Sequence, residues 1–127
     1  MGREVRVALA TPSEVAVEIS VRKVGPATIL DLDGPLKLGD AEQAFREAIQ
    51  ELVDMGTTHV AVNLSGVTEL DSSGIGVLVR AYSTLKRAGG KCTYYAPSKR
   101  VQQILKMVRL DAILDLAEDE AAALARI

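Results

Sequence analysis

Between residues 14 and 33 the chain reads EVAVEISVRKVGPATILDLD, two β-branched runs in which apolar and polar positions alternate, split by Gly25-Pro26. Alternation at a period of two marks a strand with one buried face, and Gly-Pro is a turn signal, so this stretch predicts a β-hairpin. The period then changes. In DAEQAFREAIQELVDMG, residues 40 to 56, Phe45, Ala48, Ile49, Leu52 and Val53 recur at steps of three and four, the spacing of one helical face. Asp40 is placed to cap this helix, Gln43 follows three residues on as in a capping box, and Gly56 is placed to end it. HVAVNL, from His59 to Leu64, is short, apolar and β-branched, which suits a buried parallel strand.

A loop over Ser65 to Asp71 is expected to lead into a second helix, where Ile75, Leu78, Tyr82 and Leu85 share a face. Arg80, Lys86 and Arg87 lie opposite that face, and Gly89-Gly90 stop the helix. KCTYYA predicts a further strand, and Ser98 can cap a third helix with Val101, Ile104, Leu105 and Val108 inside. AILDL and EDEAAALARI predict a last short strand and a terminal helix. A hairpin followed by repeated strand–helix units implies an α/β sandwich. It is expected to be one domain with a mixed β-sheet, an N-terminal hairpin, about four helices and right-handed crossovers. The domain is expected over residues 14–127, with residues 1–13 as an N-terminal arm or an extra edge strand.

Composition narrows the function. With 127 residues, 48% of them hydrophobic, the chain has material for a single core. Its formal charge is −2 and basic and acidic residues are interspersed along the sequence, so no nucleic-acid partner is expected. Lys99, Arg100, Lys106 and Arg109 are assigned to the solvated face of a helix. Cys92 is the only cysteine, forms no internal disulfide and suits a reducing cytoplasm. No apolar run approaches the roughly 20 residues that span a bilayer, so a cytoplasmic protein without a membrane partner is expected.

The chemistry concentrates in TELDSSGIGVLV, residues 68 to 79, at a strand-to-helix turn. In open α/β sheets functional groups gather beyond the carboxyl ends of the strands, and a helix start offers free N–H groups and a positive dipole end. Three roles compete here. Asp71 or Ser72 could be a helix cap with Gly74 chosen for tight packing. Ser72 could be a nucleophile, but the G-x-S-x-G elbow is absent and the only histidine, His59, opens a strand whose far end leads to the serine. Ser72 could instead accept a phosphate from another protein, with Gly74 and Gly76 removing bulk around the hydroxyl. A P-loop would need a different glycine spacing and a Lys, and no cofactor or metal motif is present.

The stretch VAVNLSGVTELDSSGIGVLVRAYSTLKRAGGKCTYYAPSKRVQQILKMVRLDAILDL resembles the anti-sigma factor antagonists of the STAS domain family. The resemblance covers about the last hundred residues, and its most specific part is the strand, the D-S-S-G-I-G turn and the helix ending in Gly-Gly. It implies that Ser72 is phosphorylated by a partner that is both a serine kinase and an anti-sigma factor. Glu69, Asp71, Ser73, Gly74 and Gly76 would then form the partner-binding surface. It also implies partner switching: the unphosphorylated protein binds the anti-sigma factor and frees a sigma factor, and a metal-dependent serine phosphatase reverses the modification. The protein itself would not be an enzyme. Two alternatives stand beside this: a non-enzymatic scaffold in a stress-signalling complex or a lipid-transport subunit, and a small serine hydrolase. The family often has G-x-L-D before the first helix, whereas this chain has GPLKLGD, with Lys37 at the Asp position and Asp40 as the nearest acid.

Overall fold

A computed structural model describes residues 2–5 and 17–127. The beginning of the expected hairpin, residues 14–16, and most of the expected arm lie outside the described residues. Six strands, β1 (Gly2–Val5), β2 (Glu18–Val24), β3 (Ala27–Leu36), β4 (His59–Leu70), β5 (Lys91–Tyr95) and β6 (Asp115–Ala117), lie side by side in chain order. The β1–β2 and β2–β3 pairs are antiparallel and the others parallel, so the sheet is mixed, with the hairpin turning at Gly25. Four helices connect and cover it: α1 (Asp40–Asp54), α2 (Ser72–Arg87), α3 (Lys99–Met107) and α4 (Glu120–Ala125).

Because strand side chains alternate in direction, the sheet has two unlike faces. One presents Ile19, Leu30, Leu32, Val60, Val62, Leu64 and Tyr94, which meet Phe45 and Ile49 of α1, Leu78 and Leu85 of α2, and Val101 and Leu105 of α3 in one core. Tyr94 is fully buried there and its hydroxyl donates to the Leu78 carbonyl at 2.7 Å. Cys92 is buried on the same face, and burial pushes its thiol up to about 12. The other face has a small cluster of Ile29, Ala61, Tyr95 and Ala117 under Ala123 of α4.

Six residues of helix bury little, and a polar network adds to the hold on α4. Arg22 Nε donates to Asp31 Oδ2 at 2.6 Å, and its Nη2 donates to Glu120 Oε1 at 2.6 Å. The Tyr95 hydroxyl donates to the same Glu120 oxygen at 2.9 Å, and Asn63 Nδ2 donates to Asp31 Oδ1 at 2.8 Å. The Arg22 bond is the main reason the Glu120 carboxyl titrates below its ordinary 4.5, with Tyr95 second among the stabilising bonds. A depressed native pKa contributes stability that is complete above the unfolded value and is lost as pH falls through the native one. Arg22→Met, which leaves Asp31 and Glu120 without their shared cation, is expected to cost about 1–3 kcal/mol at pH 7. The gap from wild type should shrink below pH 4.5 as Glu120 protonates. Urea denaturation at the two pH values measures both.

Three local expectations change, besides the last strand, which starts at Asp115 and not at Ala112 because Leu110–Ala112 forms a 3-10 turn. Asp40 is not the cap of α1: Gly39, at φ +109°, holds that position, and Asp40 is already helical, so its side chain cannot reach forward to a free N–H. Its charge still favours the first turn. Gln43 Nε2 donates to Glu47 instead of closing a capping box. The C-terminus is as expected, with Gly56 at φ +79° and the Thr57 N–H donating to the Leu52 carbonyl at 2.8 Å.

The second change is that Ser65–Leu70 is strand, not loop. β4 runs twelve residues to Leu70, and its last part pairs with β3 through Asp33↔Gly66, Gly34↔Val67 and Leu36↔Leu70, with register shifts between Asp31 and Asp33 and between Gly34 and Leu36. Pairing with β5 stops at Asn63↔Tyr95. Past that point β4 has one neighbour, which is why polar residues such as Ser65, Thr68 and Glu69 are tolerated there and disguise the strand. The third change concerns Val108, which is 46% exposed because α3 ends at Met107.

Candidate functional site: the N-terminus of α2

The extended β4 delivers the chain to α2 beyond the end of β5, on an open edge of the molecule. Asp71 is the N-cap of α2. Its Oδ1 accepts from the Gly74 N–H at 2.9 Å, and its Oδ2 accepts from the Leu38 N–H at 3.0 Å, tying the β3–α1 loop to the helix start. The Leu38 bond above all holds the Asp71 carboxyl below its ordinary 3.8, helped by the Gly74 and Ser73 N–H groups and the Lys37 charge against a desolvation that opposes them.

With Asp71 as cap, Ser72 becomes the first helical residue. It is exposed, and among the described residues its hydroxyl makes no hydrogen bond. Ser73 is half-buried. Gly74 is buried, and a Cβ there would overlap the Leu36 carbonyl oxygen and stand 2.7 Å from Leu70 Cδ1. The space Gly74 leaves is therefore filled by β3, not open to solvent. Gly76 is different, since a Cβ on it would meet only the Arg80 guanidinium, at 3.7 Å. Glu69 projects from the end of β4, and its Oε1 lies 2.9 Å from Lys37 Nζ.

The expected site residues Glu69, Asp71, Ser72, Ser73, Gly74 and Gly76 thus converge on one end of the sheet. Sequence reading missed that Lys37 bridges to Glu69 and that its neighbour Leu38 is 76% exposed. An apolar residue isolated between Lys37 and Gly39 is the signal that could have indicated it. His59 is not brought near: it opens β4 eleven residues before Leu70, roughly 35 Å from the strand's far end at about 3.3 Å per residue. Its Nδ1 lies 3.3 Å from Thr58 Oγ1. Among the described residues no group of His, Cys, Asp or Glu is arranged to hold a metal ion, and no helix is long and apolar enough to cross a membrane.

The STAS domain family model matches residues 18–123, from the first residue of β2 into α4. The chain belongs to the STAS domain family. Within that STAS domain the serine turn sits where the parallel strands end, and β1 lies outside the matched range. Relatives in Thermotoga neapolitana and Thermotoga maritima are 25% and 23% identical over 104 residues, covering 82% of this chain and 92% of each relative. Their names give, as a provisional role, anti-sigma factor antagonist. The STAS fold recurs in an anti-sigma factor antagonist from Mycobacterium paratuberculosis, with a TM-score of 0.80 at 19% identity over 92% of this chain and 98% of that one. It also recurs in the unphosphorylated form of the anti-sigma factor antagonist SpoIIAA, with a TM-score of 0.71 at 22% identity over 85% and 94% of the two chains.

Proposed function

We propose that this protein is an anti-sigma factor antagonist that works by partner switching, with Ser72 as its phosphoacceptor. The observation that carries this is the division of labour at the turn: Asp71 caps the helix, which leaves the Ser72 hydroxyl exposed and unbonded at the positive end of α2. Unmodified, the surface around Ser72, Glu69 and the β3–α1 loop binds a kinase-type anti-sigma factor and releases a sigma factor. The kinase then passes the γ-phosphoryl group of ATP to Ser72 Oγ: the P–O bond to ADP breaks, and the hydroxyl proton leaves to a base on the kinase. A metal-dependent serine phosphatase hydrolyses the phosphoester and restores binding, in the cytoplasm. The protein acts by occupancy and has no reaction of its own. His59, the only histidine, lies at the wrong end of β4 to activate Ser72, which disfavours a hydrolase.

Incubation with a cognate kinase and ATP is expected to add one phosphate, and mass-spectrometric mapping should place it on Ser72. Ser73 is the competitor, but it is half-buried one residue further into the helix, where a hydroxyl tends to bond back to the chain. Label that persists in Ser72→Ala and vanishes in Ser73→Ala would reverse the assignment.

A further inference from the structure

In each strand–helix unit the strand and its helix run in opposite directions, and this sorts the charges of the chain between two ends of the molecule. The end where β3, β4 and β5 finish holds Ser72 together with exposed Glu18, Asp33, Asp40, Glu69 and Asp119. Its cations are Lys37, paired with Glu69, and Lys99 and Arg100 at the start of α3. The opposite end is formed by the β2–β3 turn, the starts of β4 and β5, and the ends of α1, α2 and α3. It carries Lys23, Lys86, Arg87, Lys91, Lys106 and Arg109, all exposed, and among the described residues none of them is paired with a carboxylate. Among the described residues the exposed acids there are Glu51, Asp54 and Asp111, while Asp115 is paired with Arg126. Charges that are interspersed along the sequence are segregated in space.

Among the described residues, the same basic end carries four of the five large exposed hydrophobic residues: Met55, Met107, Val108 and Ile113, from 46% to 80% exposed. Beside them, a cleft of about 350 Å³ opens between Tyr82, Lys86, Lys91, Ile113 and Arg126. We infer that this end of the protein docks on an anionic lipid bilayer, with the apolar tips in the headgroup region and the cations on the lipid phosphates and carboxylates. Apolar tips set among unpaired cations suit a bilayer surface, which offers anionic groups above and hydrocarbon below. Nucleic acid offers phosphates but nothing that rewards exposed Met107 and Val108. A protein partner favours a contiguous apolar core, whereas these tips come from the ends of separate elements. Docked in this way, the molecule points Ser72 away from the membrane and leaves it accessible. The inference does not depend on Ser72 being a phosphoacceptor.

Sedimentation of the full chain with vesicles tests it. Vesicles containing about one-third phosphatidylserine should bind at least about tenfold more protein than phosphatidylcholine alone at low salt, and lose it at about 0.5 M salt. Lys106→Glu/Arg109→Glu should lower binding at least about tenfold, and so should Lys86→Glu/Lys91→Glu on other elements. Met107→Ser/Val108→Ser should lower it severalfold, and Lys99→Glu/Arg100→Glu, at the other end of α3, should leave it near wild type. Equal binding to both vesicles, or an equal loss in the Lys99/Arg100 variant, overturns the inference. Duplex DNA or polyglutamate held more tightly than the vesicles, and insensitive to Met107→Ser/Val108→Ser, would assign the face to an acidic polymer and overturn it as well.

Discussion

Ser72→Asp is expected to bind the anti-sigma partner about a hundredfold more weakly than wild type, a loss of about 2.7 kcal/mol, while melting within a few degrees of it. The fold survives because a negative charge in the first turn of α2 meets free N–H groups and the positive end of the dipole, which favour it by about 0.3–1 kcal/mol. Binding is lost for two reasons. The added group occupies space the partner must fill, and it adds negative charge to the acidic end of the molecule, where the nearest charges already have partners. Glu69 is neutralised by Lys37, and the Asp71 carboxylate is consumed by the Leu38 and Gly74 N–H groups. A phosphate, at about −1.5 to −2 charges, also competes with Glu69 for Lys37, so phosphorylation should exceed Ser72→Asp in effect. Ser72→Ala should bind constitutively, even after exposure to kinase and ATP. Calorimetric titration of both variants, run beside melting curves, checks this; an aspartate variant that binds like wild type, or fails only because it has unfolded, rules out a charge block.

Gly74→Ala is expected to be the most damaging single methyl at the turn, destabilising the fold by about 3 kcal/mol. The new Cβ would overlap a backbone oxygen of β3, which no rotamer change relieves, and would press on Leu70 Cδ1. Relief requires α2 to move off β3, which would also strain the Asp71 bonds to Leu38 and Gly74. Gly76→Ala is the internal control. Two residues along the same helix its Cβ would make only ordinary contact with the flexible Arg80 guanidinium, so it should be neutral or gain about 0.5–1 kcal/mol from helix propensity. At this chain length the Gly74 variant should melt about 10 °C or more below the Gly76 variant. Equal melting temperatures would mean that the close approach of α2 to β3 is not what requires glycine at position 74.

The Gly74 contrast also marks where local pattern stops being informative. Two glycines in DSSGIG look equivalent in sequence, and only the packing of α2 on β3 separates them: one lies under the Leu36 carbonyl, the other faces only the flexible Arg80 guanidinium. The same holds for Asp71 and Ser72, since both are good caps and the choice depends on which residue leaves the strand with extended backbone. A second acceptor role for Asp71, toward the Leu38 N–H, could not be read locally because that donor lies 33 residues away.

By itself the sequence determined what depends on neighbours within one turn or one strand: the hairpin at Gly25-Pro26, the apolar faces of α1, α2 and α3, the glycine stops at Gly56 and Gly89, and the Ser98 cap. These features follow from side-chain period and backbone freedom, which are local properties. Its motif content also placed a serine at the carboxyl end of a parallel strand, because strand–helix order alone fixes which end that is. Tertiary structure decided the rest. The length of β4 depended on a pairing with β3 that continues past β5, so polar residues there became strand for want of a second neighbour, not because of their own propensity. The charge of each end depended on strand and helix directions, which carry residues far apart in the chain, such as Lys23, Lys91 and Arg109, to one surface and leave Ser72 at the other. Electrostatic potential sums over space and not over sequence, so a chain with a net charge of only −2 can still present one acidic and one basic end.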